Sequence, residues 1–135
     1  MDDWPTVVFE CGVSESLARL RVDAHWWLTN SHRRVKTLII INASLGEKKL
    51  YVEKWQFSEV PNPHVTRGRP TPTIAMPTCI WGTEIEGSVA TEAPLWISFH
   101  TVMLRDPILE GEIDFVFKEA DLAGIAHDMW RSARA

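Results

Sequence analysis

Apolar residues run unbroken from Val7 to Phe9 and again from Leu38 to Ile41, and between the two runs they recur at helical spacing. An uninterrupted apolar strand is one covered on both faces, which predicts that both runs are central strands of a mixed or parallel sheet. Pro5 stands at the start of the first strand, where a missing N–H is tolerated. Cys11-Gly12-Val13 reads as the turn that ends it, with Gly12 allowing a tight bend. From about Ser14 to Thr29, the residues Leu17, Leu20, Ala24, Trp27 and Leu28 form a one-sided stripe, with Ser14 or Ser16 as the capping residue. Strand, helix and strand of this length predict a parallel crossover unit.

Beyond a turn at Leu45–Lys49 the pattern changes to alternation. Leu50, Val52 and Lys54 fall on one side of the next strand, and Tyr51, Glu53 and Trp55 on the other. That pattern predicts an antiparallel strand nearer an edge, with one face toward solvent. Residues 57–79 hold five of the eight prolines, so helix is excluded and an extended excursion is expected, either a passive loop or a lid. Strand-like stretches return at 73–76, 79–85 and 95–99, a helical turn at 100–104, and a final strand at 113–117. The stripe Leu122, Ile125, Ala126, Met129 and Trp130 predicts a closing helix from about Glu119 to Ser132. The expected architecture is one α/β (α+β) domain over residues 1–135. It consists of a mixed β-sheet with a strand-helix-strand core unit and a C-terminal helix packed on it.

Composition narrows the function classes. The chain has 135 residues, 45% hydrophobic and 24% charged, with a formal charge of −4, enough for one ordinary core. Nucleic acid is not an expected partner, because an acidic chain lacks the basic face such binding uses; Arg33, Arg34 and Lys36 read as solvated charges. No apolar run reaches membrane-spanning length and no signal-like leader is seen, so a cytoplasmic or nuclear location is expected, with no membrane partner. Cys11 and Cys79 are expected to be buried free thiols. The seven tryptophans exceed what a core of this size needs, and a surplus can line a pocket or an interface.

The chemistry centres on Glu10, a carboxylate among Val8, Phe9, Cys11 and Val13. A buried carboxylate needs a partner, and those in reach are Ser14, Ser16, Arg19 or Arg21 on the helix and Lys36 on the neighbouring strand. One reading makes this a structural pair. The other makes Glu10, with Asp23 or His25, a proton-transfer site in an apolar pocket walled by Trp27 and Trp55, where Ser14, Ser16 and Arg19 would hold a ligand. No histidine or cysteine spacing suits a metal, and no cofactor fingerprint is present, so neither is expected.

The stretch Trp4-Pro5-Thr6-Val7-Val8-Phe9-Glu10-Cys11-Gly12-Val13-Ser14-Glu15-Ser16-Leu17 resembles a fungal branch of divergent members of the PD-(D/E)XK (restriction-endonuclease-like) superfamily. The resemblance continues through Leu20, Asp23, Ala24, Trp27, Leu28 and the strand Val35–Ile41. It returns at Pro94-Leu95, Phe99, Leu104-Arg105, Glu112-Ile113-Asp114 and Asp121-Leu122 through Trp130. It implies a mixed sheet flanked by helices, with an acidic site at a strand end. In active relatives two acids hold Mg²⁺, and a lysine two residues beyond the second acid assists the attacking water. Glu10 would be that second acid, but Gly12 stands where the lysine belongs, leaving Arg19, Arg21 or Lys36 to substitute from a neighbouring element. The elements that carry the first acid would precede residue 1, and Asp2 and Asp3 are poor replacements.

The resemblance therefore implies an N-terminally shortened nuclease-like scaffold whose cleavage chemistry is lost and which acts as a binding or self-associating module. A homodimer would cover the apolar sheet edge that a shortened front leaves. The alternative is a metal-independent small-molecule enzyme of isomerase, cyclase or lyase type, using Glu10 on a small apolar ligand.

Overall fold

The computed structural model describes residues 3–13, 16–63, 67–68 and 72–133. Its elements are β1 (Val7–Val13), α1 (Leu17–Asn30), β2 (Thr37–Ser44), β3 (Lys49–Pro61), β4 (Thr73–Glu86), β5 (Val89–Ala90), β6 (Leu95–Ile97), α2 (Phe99–Met103), β7 (Phe115–Phe117) and α3 (Glu119–Ala133). Five strands form one sheet in the order β1-β2-β3-β4-β5, and β6 pairs with β7 in a second, small sheet. β1 runs parallel to β2, and every other pairing is antiparallel. The fold is α+β with a mixed sheet.

β2 is the strand that the hydrophobic pattern describes best. It is hydrogen-bonded on both sides, and its residues alternate between two cores. Leu38 and Ile40 pack with Leu20, Ala24 and Leu28 of α1, while Ile39 and Ala43 pack with Leu95, Ile97, Leu122 and Ala126 on the opposite face. Two covered faces leave no place for a polar residue, hence the unbroken apolar run. The capping residue of α1, Ser16, makes no side-chain cap bond, and the first turn has no acidic residue. The helix is held by its buried stripe, as most short helices are. α3 adds local support: Glu119 and Asp121 lie in its first turn, and Asp121 accepts a bond from the Lys118 N–H at 2.8 Å.

Four expectations are corrected. β1 is not central but the edge strand of the sheet; its apolar run serves two cores from the margin, Val7 on one face and Val8 on the other. Cys11-Gly12-Val13 is not a turn, because β1 continues through Val13 in register with Asn42 and Ala43 of β2. β3 is central rather than near an edge, and the face that carries Tyr51, Glu53 and Trp55 meets α1 as well as solvent. Finally, residues 57–79 are mostly ladder. β3 runs on to Pro61 and β4 starts at Thr73, with Phe57 opposite Pro77. An edge-facing proline costs a ladder no bond, so prolines do not exclude strand there.

The β3–β4 ladder shifts register between Lys54 and Trp55. Lys54 pairs with Trp81 and Trp55 with Cys79, so Ile80 is the extra residue of a β-bulge. Both cysteines are free, as expected, but exposed rather than buried.

Candidate functional site

The parallel and antiparallel registers place Glu10, Ile40 and Glu53 in one row across the sheet. Opposed residues point to the same face, so both carboxylates lie on the α1 side with Ile40 between them, their Cα atoms roughly 10 Å apart at the usual strand spacing. The two flanks of α1 supply their partners. On one flank the Trp27 indole Nε1 donates to Glu10 Oε1 at 2.6 Å. Trp27 in turn packs edge-on against Trp4 and Trp26, with centroids 5.8 and 5.4 Å away. On the other flank Arg21 grips Glu53 with both arms of its guanidinium, at 3.0 Å from Nε and 2.5 Å from Nη2. Trp55 Nε1 adds a third bond to Glu53 at 3.0 Å, and His25 sits edge-on to the Trp55 ring at 5.4 Å.

The two acids differ chemically. Burial tends to raise the Glu53 carboxyl, but the Arg21 guanidinium and the Trp55 indole outweigh it and hold the group below the usual glutamate range. A carboxylate pinned by a bidentate arginine is an ionised structural anion and a weak base. Glu10 has a neutral donor, and no lysine or arginine among the described residues pairs with it.

The remaining sequence-predicted residues separate. Lys36 is exposed just before β2, where its N–H donates to the Thr6 carbonyl at 2.7 Å; it lies four residues before the Ile40 that pairs with Glu10, roughly 13 Å away at about 3.3 Å per residue. Asp23 and Arg19 share the Trp27 flank of α1 but form no hydrogen bond or ion pair among the described residues. Ser16 is exposed at the helix start, and Ser14 lies outside the described residues. Of the proposed partners of Glu10, Arg21 is engaged by Glu53 instead. The structure brings Glu10 together with Trp27 and His25 with Trp55, but these pairs stand on opposite flanks of the helix. Among the described residues no three histidine, cysteine or acidic side chains converge as a metal site would require.

Sequence reasoning missed Glu53. The signal was available: the alternation of β3 puts Glu53 on the same side as Trp55, and Arg21 and His25 are four apart on one helix flank. What the alternation could not say is that this side faces α1.

Compared with family models, curated proteins and solved structures, the chain matches none of them. The site must be read from its own geometry. Among the described residues no helix is long and apolar enough to cross a membrane.

A Trp27→Phe variant should lose about 1 to 2 kcal/mol of folding stability in urea titrations, because a half-buried anion loses its donor. Glu10→Gln, which keeps an acceptor oxygen for the indole, should lose less than half as much. Equal losses would mean that the pair contributes only packing.

Proposed function

We propose that the chain is a nuclease-like scaffold that has lost cleavage chemistry and serves as a self-associating module, with β1 joining two copies through its free edge. The reading fits a cytoplasmic or nuclear protein with two unpaired thiols. The observation that carries it is the make-up of that edge. Thr6 C=O accepts from the backbone N–H groups of Lys36 and Thr37, so even-numbered residues of β1 turn their backbone groups to β2. The odd-numbered ones, Val7, Phe9, Cys11 and Val13, then offer theirs outward. Phe9 is 50% and Val13 52% exposed, and Cys11 between them is exposed too. A strand edge that no other strand pairs among the described residues, bearing exposed apolar side chains and no lysine or proline, is a template for another strand.

Self-pairing has a preferred register. A two-fold axis at Cys11 sets Phe9 against Val13 of the second copy, and Glu10 against its Gly12. An axis at Glu10 would set two carboxylates directly opposite, which is destabilising.

Loss of cleavage chemistry is supported by the neighbours of Glu10. Gly12 supplies no ammonium, Arg21 is held by Glu53, and Lys36 is remote. Proton transfer by Glu10 is served less well, because the Trp27 indole N–H already occupies its Oε1 and His25 stands against Trp55 on the opposite flank of α1.

The test is covalent trapping. In a Cys79→Ser background, mild oxidation should join two chains through Cys11, since hydrogen-bonded antiparallel partners have Cα atoms about 5.5 Å apart, within disulfide range. Sedimentation should give a dimer that Phe9→Lys weakens by about tenfold or more. A monomer at every concentration with no Cys11 cross-link would overturn the association. Metal-dependent cleavage of DNA abolished by Glu10→Gln would overturn the loss of chemistry.

A further inference from the structure

On the face of the sheet away from α1, a groove of about 290 Å³ is lined by Lys54, Ile80, Trp81, Pro94, Trp96 and Val116. Three features distinguish it from an incidental surface depression. The β-bulge that leaves Ile80 without a partner on β3 places it in the groove wall, where it is 41% exposed beside Trp96 at 55% and Val116 at 46%. Lys54 is the one charged residue of the lining, and its Nζ donates to the Trp96 carbonyl at 2.5 Å. That uses one of three ammonium donors. No carboxylate among the described residues pairs with Lys54, and burial against the apolar walls pushes its ammonium below the usual lysine range with no acid to offset it.

A half-buried cation with no carboxylate on it among the described residues, sharing a groove with two indoles, calls for an anion with an apolar body. We infer that this groove binds a small carboxylic acid carrying one aromatic ring or a branched apolar group. The carboxylate meets the two remaining Lys54 N–H donors, and the apolar body lies against Trp81, Trp96 and Pro94. The carboxylate supplies the charge that the desolvated ammonium lacks, a charge-assisted contact stronger than any neutral one. The groove volume suits a ligand of one ring and a short chain. Neither Glu10 nor the β1 edge takes part, so this inference stands apart from the self-association reading.

The experiment titrates the full chain with 3-phenylpropanoate and with its amide, following the indole N–H signals of Trp81 and Trp96 by proton–nitrogen correlation spectra. The acid should shift both signals saturably and bind about tenfold or more tightly than the amide, the difference being the charge. Lys54→Met should reduce the acid to the affinity of the amide. Lys54 also holds the Trp96 carbonyl, so the acid–amide comparison in the unaltered chain decides the question without that variant. Equal binding of acid and amide, shifts centred on Trp26 and Trp27 instead, or no saturation up to about 10 mM acid would each overturn the assignment.

Discussion

Ile40→Ala is expected to lower folding stability by about 3 to 4 kcal/mol, at the upper part of the range for truncating a buried aliphatic side chain. Ile40 has no exposed surface and lies in the core formed with Leu20, Ala24, Leu28, Val35, Leu38 and Trp55. Its strand is hydrogen-bonded to β1 on one side and β3 on the other, so the backbone cannot move into the space left behind. Its neighbours in the row, Glu10 and Glu53, are fixed by Trp27 and Arg21, and neither can tip an ionised carboxylate into an apolar hole. The cavity therefore stays open, and open cavities are the costly ones. Urea unfolding should show a lower midpoint with unchanged slope. Val22→Ala on the solvent side of α1, where Val22 is 67% exposed, should change stability by about 0.5 kcal/mol or less. A loss below about 1 kcal/mol at Ile40 would show that α1 settles onto the sheet and that the two-core description is wrong.

The second large effect is pH-dependent and belongs to Glu53. Its side chain is 13% exposed, against 45% for Arg21, so the pair is half sheltered and its contribution is smaller than that of a fully buried ion pair. Glu53→Gln should cost about 2 kcal/mol near neutral pH, because Arg21 and the Trp55 indole lose the charge they converge on. The sign of the acid response follows from the direction of the shift. With a carboxyl held lower in the folded than in the unfolded chain, stability from ionisation is fully present above the ordinary glutamate range. It is lost as the pH falls through the folded value. The difference between wild type and Glu53→Gln should therefore shrink in acid and approach zero once both side chains are neutral. Urea midpoints of the two proteins from neutrality down to about pH 3 measure this directly. A difference that stays constant across that range would assign the effect to shape rather than to charge. Arg21→Met should act in the same direction and remove most of the pH dependence, leaving the smaller indole contribution.

Local pattern and long-range pairing left different marks on this chain. The α1 and α3 helices, the doubly buried run of β2 and the alternation of β3 were legible because each depends on residues one to four apart. Glycine and proline were the misleading signals. Gly12 suggested a turn where β1 continues, and Pro61 and Pro77 suggested an excursion where β3 and β4 pair. Propensity describes one strand alone, whereas the ladder bonds to the neighbour decide whether the strand persists.

What the sequence determined by itself is which residues must leave water and on which side of each element they lie, since periodicity is a property of the covalent chain. What only the tertiary structure decided is the order of the strands. An apolar run looks the same at the centre of a sheet as at an edge that two cores overlap, so β1 and β3 could exchange places in the reading without altering a single residue. That order puts Glu10 at the margin with an indole and Glu53 in the middle with a guanidinium. It also sets Lys54 in a groove on the opposite face of the sheet from both, because partners that meet across strands are chosen by register and not by distance along the chain.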